Sequence, residues 1–323
     1  MKRNFAHTRV LVTGASGFIG SNLCQRLINE GARVHAVGRT GRGEWTPGVE
    51  RQEADLTDCE STRRVFAAAK PDLVFHVAGH SHGMPQLDQV QPALASNLVA
   101  TVNLLTVAAE IGCERVILTG SHDEPDPNEA SADAFVPASP YAASKLAANL
   151  YARMFHALFQ VPVSVARIYM AYGAGQRNLN KLIPYVILSV LRGQAPRLSS
   201  GTRPMDWIYI DDVISGLLAV AESGTLDGQT VGLGTGVVHT SRQAAERLVA
   251  LMNSGITLEF GAVPDRQHER ARYCDLADTR AKIDWNPVVS FDEGLQRSIS
   301  WYRDHVAPHV ISPEHRVIAP AHA

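Results

Sequence analysis

The chain has 323 residues, 45% of them hydrophobic and 19% charged, which excludes both a disulfide-stapled mini-scaffold and a disordered chain. At roughly 100–200 residues per domain the length fits two domains, or one large domain with an appendage. Thirty basic against 32 acidic side chains leave a net charge of -2, so no global basic field points to nucleic acid or an anionic membrane, and a small-molecule ligand is expected.

Cys24, Cys59, Cys113 and Cys274 lie far apart without CxxC or CxxxH spacing. Neither a zinc site nor a disulfide framework is indicated, and reduced thiols in a cytoplasmic protein are expected. The N-terminus, Met1-Lys2-Arg3-Asn4-Phe5-Ala6-His7, begins with charge, and the following Val10-Leu11-Val12-Thr13 is too short for a signal-peptide core or a membrane span.

From Arg9 to Ile168 short runs rich in Val, Ile and Leu alternate with helical patterns, the signature of βαβ units around a parallel sheet buried on both faces. The predicted strands are Val10–Thr13, Arg33–Val37, Arg51–Ala54, Leu73–Val77, Arg115–Leu118 and Val163–Ile168; the helices between them begin near Phe18, Thr57, Ala93 and Tyr141. The first helix carries Ile19, Leu23, Leu27 and Ile28 at helical spacing and stops at Gly31, which suits a left-handed C′ position. After Gly173 the rhythm breaks. Lys181–Arg192 reads as a helix, Asp206–Ile210 as a strand and Asp211–Glu222 as a helix; Thr230–Leu233, Ser241–Met252 and Ile256–Phe260 follow, then a last helix over Phe291–His305. The tail from Pro308 is expected to be loosely ordered. The fold class is therefore α/β: a Rossmann-type doubly wound parallel sheet over 1–172 with returning segments, and a smaller C-terminal α+β substrate part over 173–307.

Thr13-Gly14-Ala15-Ser16-Gly17-Phe18-Ile19-Gly20 joins the first strand to the first helix. Gly14 permits the tight turn, Gly17 lets backbone approach a pyrophosphate, Gly20 allows close helix-to-strand packing, and the helix N-terminus offers N–H groups to the anion. Gly14, Ser16, Gly17, Phe18, Ile19 and Gly20 are thus the predicted cofactor cradle. The second strand runs into Val37-Gly38-Arg39-Thr40-Gly41-Arg42, without the acid that an NAD enzyme usually sets on the ribose 2′-hydroxyl. Gly38 and Arg39 leave room and charge for a 2′-phosphate, which favours NADP(H), with NAD(H) the alternative. Asp55-Leu56 after the third strand, Val77-Ala78-Gly79 after the fourth and Ile168 at the end of the sixth sit at strand C-termini, where such a fold presents its ligand.

Tyr141-Ala142-Ala143-Ser144-Lys145 opens a helix, and the i to i+4 spacing puts phenol and ammonium on one face. A free phenol with a pKa of about 10 is a poor proton relay, and a nearby ammonium is expected to lower it. Ser121, in Leu118-Thr119-Gly120-Ser121 past the fifth strand, reaches the same sheet edge. Hydroxyl, phenol and lysine beside a nicotinamide are the parts that move a hydride on carbon while a proton moves on oxygen.

These motifs, with Asn97-Leu98-Val99-Ala100-Thr101, Ser139-Pro140 before Tyr141, Arg167 with Tyr172-Gly173, and Asp206-Trp207-Ile208-Tyr209-Ile210-Asp211-Asp212, resemble the extended short-chain dehydrogenase/reductases that act on nucleotide-activated sugars, the NAD-dependent epimerase/dehydratase family. The resemblance runs from Arg9 to about Tyr302. It implies that Tyr141 is the acid/base, that Lys145 holds the nicotinamide ribose and depresses the tyrosine pKa, and that Ser121 hydrogen-bonds the sugar oxygen. It further implies that Asn97 lies in the cofactor site, that the C-terminal part closes over a nucleotide sugar, and that the chain forms a homodimer through paired helices, in keeping with apolar residues on more than one face of Ala93–Ile111 and Tyr141–Gln160.

Departures from the pattern shape the expected chemistry. Met170 stands where many relatives have a substrate-binding Asn, and Met205 replaces an arginine before Asp206, with Arg203 nearby; Arg266 matches a position that grips the diphosphate in relatives. Leu258-Glu259-Phe260-Gly261-Ala262 with Arg266 and Glu269 looks most like the branch that reduces 4-keto-6-deoxy sugars on CDP or dTDP, of the CDP-abequose and CDP-paratose synthase type. Expected function is thus NADPH-dependent C4-keto reduction, with a 4-epimerase as the alternative. A 4,6-dehydratase would place Asp and Glu directly after the hydroxyl residue, whereas His122 intervenes before Asp123 and Glu124. A dinucleotide sensor without catalysis would be expected to lack Tyr141 or Lys145. His80-Ser81-His82 has no third ligand nearby, so no metal is expected; His80 and His122 are placed instead, with Met170, Arg203 and Arg266, on the substrate side.

Overall fold

The computed structural model describes residues 4–39, 45–124, 136–265 and 271–310. The chain divides into two compact units, Met1–Ile168 with Val213–Leu233 and Asp275–Asn286, and Tyr169–Asp212 with Gly234–Cys274 and Pro287–Ala323. In chain order the strands are β1 (Arg9–Thr13), β2 (Arg33–Gly38), β3 (Glu50–Glu53), β4 (Leu73–His76), β5 (Arg115–Ser121), β6 (Val163–Ile168), β7 (Met170–Tyr172), β8 (Arg197–Leu198), β9 (Pro204–Tyr209), β10 (Thr230–Leu233), β11 (Val238–Thr240) and β12 (Glu259–Phe260).

Seven strands of the first unit form a parallel sheet in the order β10-β6-β5-β4-β1-β2-β3. Every residue of β4 and β6 is buried, as expected of strands covered on both faces. The edge strand β3, Glu50-Arg51-Gln52-Glu53, is charged and largely exposed, which blunts it against pairing with another chain. Strand order reverses between β1 and β4, which opens a crevice at their C-terminal ends. The first unit is the Rossmann-type α/β fold.

The helices flanking the sheet are α1 (Phe18–Asn29), α2 (Cys59–Ala69), α3 (Leu87–Ile111) and α4 (Pro140–Phe159). Gly31 after α1 has φ 80, the predicted left-handed stop. Asp58 caps α2 by accepting from Glu60 N and Ser61 N, so this helix starts two residues later than its sequence pattern suggests. Ser139 caps α4, and Pro140 fills its first turn, where a missing N–H costs nothing. The third helix begins at Leu87, before the expected Ala93, and is interrupted by a π-helical turn over Leu94–Val99. By length and composition α3 could cross a membrane; its Leu104, Leu105, Val107 and Ala108 belong to the core with Phe66, Val74 and Val116.

In the second unit β7, β9 and β11 form a small mixed sheet, parallel between β7 and β9 and antiparallel between β9 and β11. Buried Asp206 accepts from Thr235 N and Oγ1, Gly236 N and Cys274 N, and Asp212 accepts from Val288 N and Val289 N. The acids of the Asp206–Asp212 motif therefore hold backbone together. Three expectations need correction. Thr230–Leu233 pairs with β6 in the large sheet, Ile256–Phe260 shortens to the two-residue β12, and Ala307–Val310 is a helical turn where a loose tail was expected. The rest of that tail lies outside the described residues.

Candidate active site

The loop between β1 and α1 is built for close backbone approach. Gly14 has φ +66, and a Cβ there would lie 2.7 Å from Ala78 N and Cα. A Cβ on Gly20 would lie 2.1 Å from the Gly14 carbonyl oxygen, so a side chain at either position is sterically shut out. Gly17 is the N-cap of α1; no side chain caps it and the first turn carries no acid, which leaves N–H groups and a positive dipole end for a phosphate. Ser16, Phe18 and Ile19 line the same turn. The residues present fit a dinucleotide.

At the end of β2, a Cβ on Gly38 would meet buried Trp45 at 3.0 Å and Ser16 Oγ at 3.7 Å. Arg39 is exposed. Asp55 accepts from Thr57 N at 3.0 Å and Thr57 Oγ1 at 2.8 Å; these bonds, and then the Arg39 charge, hold its carboxyl below the usual range. Leu56 is buried beside it and its carbonyl accepts from Asn103 Nδ2.

Beneath the loop runs a buried chain of hydrogen bonds whose directions can be assigned. Thr101 Oγ1 spends its only hydrogen on the Asn97 carbonyl at 2.6 Å, so at its 3.1 Å contact with His76 Nε2 the imidazole must donate. His76 Nδ1 then accepts from Thr13 Oγ1 at 2.8 Å, and Thr13 Oγ1 in turn accepts from Ala78 N. Burial, and then the Lys145 charge, push the His76 pKa down to about 3, so the ring is neutral as this pattern requires.

Asn97 sits in the π-helical turn and is buried. Its Oδ1 accepts from His80 N at 2.7 Å, while its Nδ2 donates to His80 O and to Ser144 Oγ. A Cβ on Gly79 would lie 2.7 Å from Asn97 Oδ1 and 3.6 Å from Lys145 Nζ. Asn97 therefore fixes the Val77-Ala78-Gly79-His80 segment to α4, one turn from the catalytic candidates. π-Helical turns are frequent at functional sites.

Ser121, Tyr141 and Lys145 come together. Lys145 Nζ donates to the Thr119 carbonyl at 2.7 Å. Ser121 Oγ accepts from Asp123 N at 3.2 Å and shares a hydrogen bond with the Tyr141 phenol. One expectation is overturned: the Tyr141 pKa is raised. Burial is the main cause; the Ser121 hydrogen bond opposes it, and the Asp123 and Glu124 charges add to it. Burial likewise lowers the Lys145 pKa, with Glu124 pulling it back up. The ammonium is engaged with Thr119, and burial governs the phenol.

The expected substrate-side residues divide. His80 Nε2 lies 2.7 Å from Gln89 Oε1. His122 is part-buried, its N donates to Ile168 O and its Nε2 lies 3.5 Å from Asp123 Oδ1. Met170 and Arg203 belong to the second unit, Met170 on β7 and Arg203 next to β9. Arg266 lies outside the described residues. Among the described residues no group of three or more His, Cys, Asp and Glu could hold a metal. Sequence reasoning passed over His76, Asn149 and the burial of Glu124; Asn149 follows Lys145 by four residues, the same step that joins Tyr141 to Lys145.

Glu124 follows Ser121 by three residues. It is 0% exposed and accepts from Ser121 N at 2.5 Å and from Asn149 Nδ2 at 3.0 Å, so both oxygens are engaged under β5.

Comparison with known proteins follows the same lines. The chain is 29% identical to a UDP-glucose 4-epimerase of Mycolicibacterium smegmatis, over 92% of this chain and 99% of that one. It is 26% identical to a dTDP-glucose 4,6-dehydratase of Haemophilus influenzae, over 91% and 97%. Among solved structures it resembles an epimerase from Methanothermobacter thermautotrophicus, with a TM-score of 0.82, 26% identity and 95% of each chain covered. Residues 10–234, from the first strand of the cradle to the last strand of the large sheet, match one family along their whole length. The chain belongs to the NAD-dependent epimerase/dehydratase family of nucleotide-sugar enzymes.

Proposed function

We propose that this enzyme reduces the C4 keto group of a nucleotide-activated 4-keto-6-deoxy sugar with NADPH. The observation that carries the reading is the end of β2, where Gly38 and exposed Arg39 stand in place of the acid that would bind a ribose 2′-hydroxyl. The carboxylate at the end of β3, Asp55, is taken up by Thr57. An epimerase recycles its bound NAD, whereas a net reductase must take up reducing equivalents, usually as NADPH.

When bound, the cofactor supplies the hydride. The Ser121 hydroxyl holds the keto oxygen, and Tyr141, kept protonated by burial, gives that oxygen its proton. C4 passes from carbonyl to hydroxyl with the gain of one hydride and one proton, and the phenolate regains its proton from water. Lys145 binds the nicotinamide ribose and keeps a positive charge near the phenolate as it forms. Gly14, Ser16, Gly17 and Gly20 hold the pyrophosphate, and Arg203 and Arg266 are the residues proposed, from the sequence pattern, to bind the sugar nucleotide.

The engaged carboxylate of Glu124 weighs against the 4,6-dehydratase reading, which needs that group free for the sugar. The intact Ser121, Tyr141 and Lys145 set weighs against a sensor without catalysis. A 4-epimerase is the second reading, favoured by the M. smegmatis relative. Exposed apolar residues on α3 and α4, Leu94 at 40%, Leu150 at 55% and Leu158 at 67%, support a homodimer through these helices. Among the described residues Cys24, Cys59, Cys113 and Cys274 form no disulfide, which supports a cytoplasmic location.

The test is nicotinamide absorbance with CDP- and dTDP-4-keto-6-deoxyglucose generated in place by a dehydratase. NADPH consumption with one of them supports the reductase. Consumption of neither NADPH nor NADH, with NAD bound to the purified protein, replaces it with the epimerase.

A further inference from the structure

The Tyr141 to Lys145 spacing continues one step further than its motif. Asn149 lies another four residues on, so Tyr141, Lys145 and Asn149 fall along one stripe of α4. Opposite them, β5 offers Thr119, Gly120 and Ser121. Lys145 reaches the Thr119 carbonyl directly, and Asn149 reaches Ser121 through a carboxylate: Asn149 Nδ2 donates to Glu124 Oε2, and Glu124 Oε1 accepts from Ser121 N. Gly120 makes room for this, since a Cβ there would lie 2.9 Å from Glu124 Oε1.

We propose that Glu124 is a buried counter-charge one helical turn from Lys145 and a positioning residue of the triad, fastening Ser121 to α4 through Asn149. A wholly buried carboxylate is costly unless paired and hydrogen-bonded. Burial raises the Glu124 pKa, and the Asn149 N–H, the Arg167 charge on β6, the Ser121 N–H and the Lys145 charge on α4 oppose that rise. Glu124 raises the Lys145 pKa against the burial that lowers it, and its charge also raises that of Tyr141. The other titratable groups facing this pair are His76, neutral beside Lys145, and Asp123 beside Tyr141. Glu124 thus favours the protonated form of both the lysine and the phenol, which suits a site that donates a proton.

The proposal rests on Lys145 belonging to the triad, and its test uses no substrate, so it fails or stands apart from the choice of reaction. The chain has five lysines, Lys2, Lys70, Lys145, Lys181 and Lys282. Protein carrying 13Cε-lysine therefore gives few signals, and the one lost in Lys145→Arg belongs to Lys145. In Glu124→Gln its pKa should fall by about one pH unit or more, while Glu124→Asp, which keeps the charge, stays closer to wild type. An unchanged Lys145 titration in folded Glu124→Gln overturns the proposal. The unsubstituted protein carries the same test should that variant not fold: its Lys145 signal should show a second, smaller inflection where Glu124 takes up its proton, and a single inflection overturns the proposal.

Discussion

The Tyr141 phenol and the Ser121 hydroxyl are hydrogen-bonded to each other, so the two groups that would flank a substrate oxygen converge on one point before any substrate arrives. Tyr141→Phe should lower turnover by about 10²–10⁴-fold, the usual share of a positioned proton donor, and leave cofactor affinity unchanged. Ser121→Ala should lower it less and raise KM for the sugar. Steady-state rates alongside cofactor fluorescence titration check both, and undiminished turnover in Tyr141→Phe would refute the mechanism.

Arg39 should matter for one cofactor only. A charged hydrogen bond to a phosphate contributes about 1.5–3 kcal/mol, which is tenfold or more in affinity. Arg39→Ala should therefore raise KM for NADPH by roughly tenfold to a hundredfold and leave KM for NADH nearly unchanged. An equal effect on both would remove Arg39 from cofactor choice.

Gly20→Ala puts a methyl group into the Gly14 carbonyl, and both neighbours are backbone that cannot step aside. The variant should lose measurable dinucleotide binding, and its thermal midpoint should fall by several degrees. Binding measured by calorimetry at wild-type strength would show that the turn can relax.

The neutral His76 gives the fold an acid sensitivity with a defined sign. Its folded pKa of about 3 lies below the ordinary value near 6.5, so the unfolded chain binds a proton that the folded one refuses. This contribution is present above about pH 6.5 and is lost as pH falls toward 3, at up to about 1.4 kcal/mol per pH unit. Urea unfolding at pH 7 and pH 5 should show wild type losing about 2 kcal/mol more than His76→Asn. Equal losses would mean that the imidazole titrates normally.

If α3 and α4 pair between two copies, Leu150→Glu together with Leu158→Glu should give a monomer by light scattering, with the monomer's thermal midpoint little changed because both side chains are already exposed. An unaltered mass would move the interface elsewhere.

The large sheet was legible in the sequence because each element announces itself locally. Val163–Ile168 is a bounded β-branched run, Phe18 follows a glycine-rich turn, and Gly31 is a stop with a steric reason. What escaped depends on partners far away in the chain. Met170–Tyr172 and Val238–Thr240 are three-residue strands made by pairing with β9, and nothing in three residues reveals such pairing. Thr230–Leu233 looked like part of the second unit, and only its register with Val165–Ile168 shows where it belongs. The triad was readable from spacing; the burial of Glu124 was not, because it depends on Gly120, Asn149 and Arg167 arriving from three elements.

The wide turn of α3 has a consequence of phase. Ala93, Asn97 and Thr101 are all buried and stand four residues apart. Four residues of an ordinary helix overshoot a full revolution by about 40°, so two such steps would swing Thr101 about 80° out of line with Ala93. A turn holding one extra residue absorbs that excess and keeps Asn97 and Thr101 on the side of His76 and His80. Forcing the Leu94–Val99 turn into regular helix at unchanged length would rotate every later side chain and break the contact of α3 with His76 without touching one atom of the cradle. Deleting one residue there would instead bring Thr101 to seven residues after Ala93, about 20° short of two revolutions, and keep it in line.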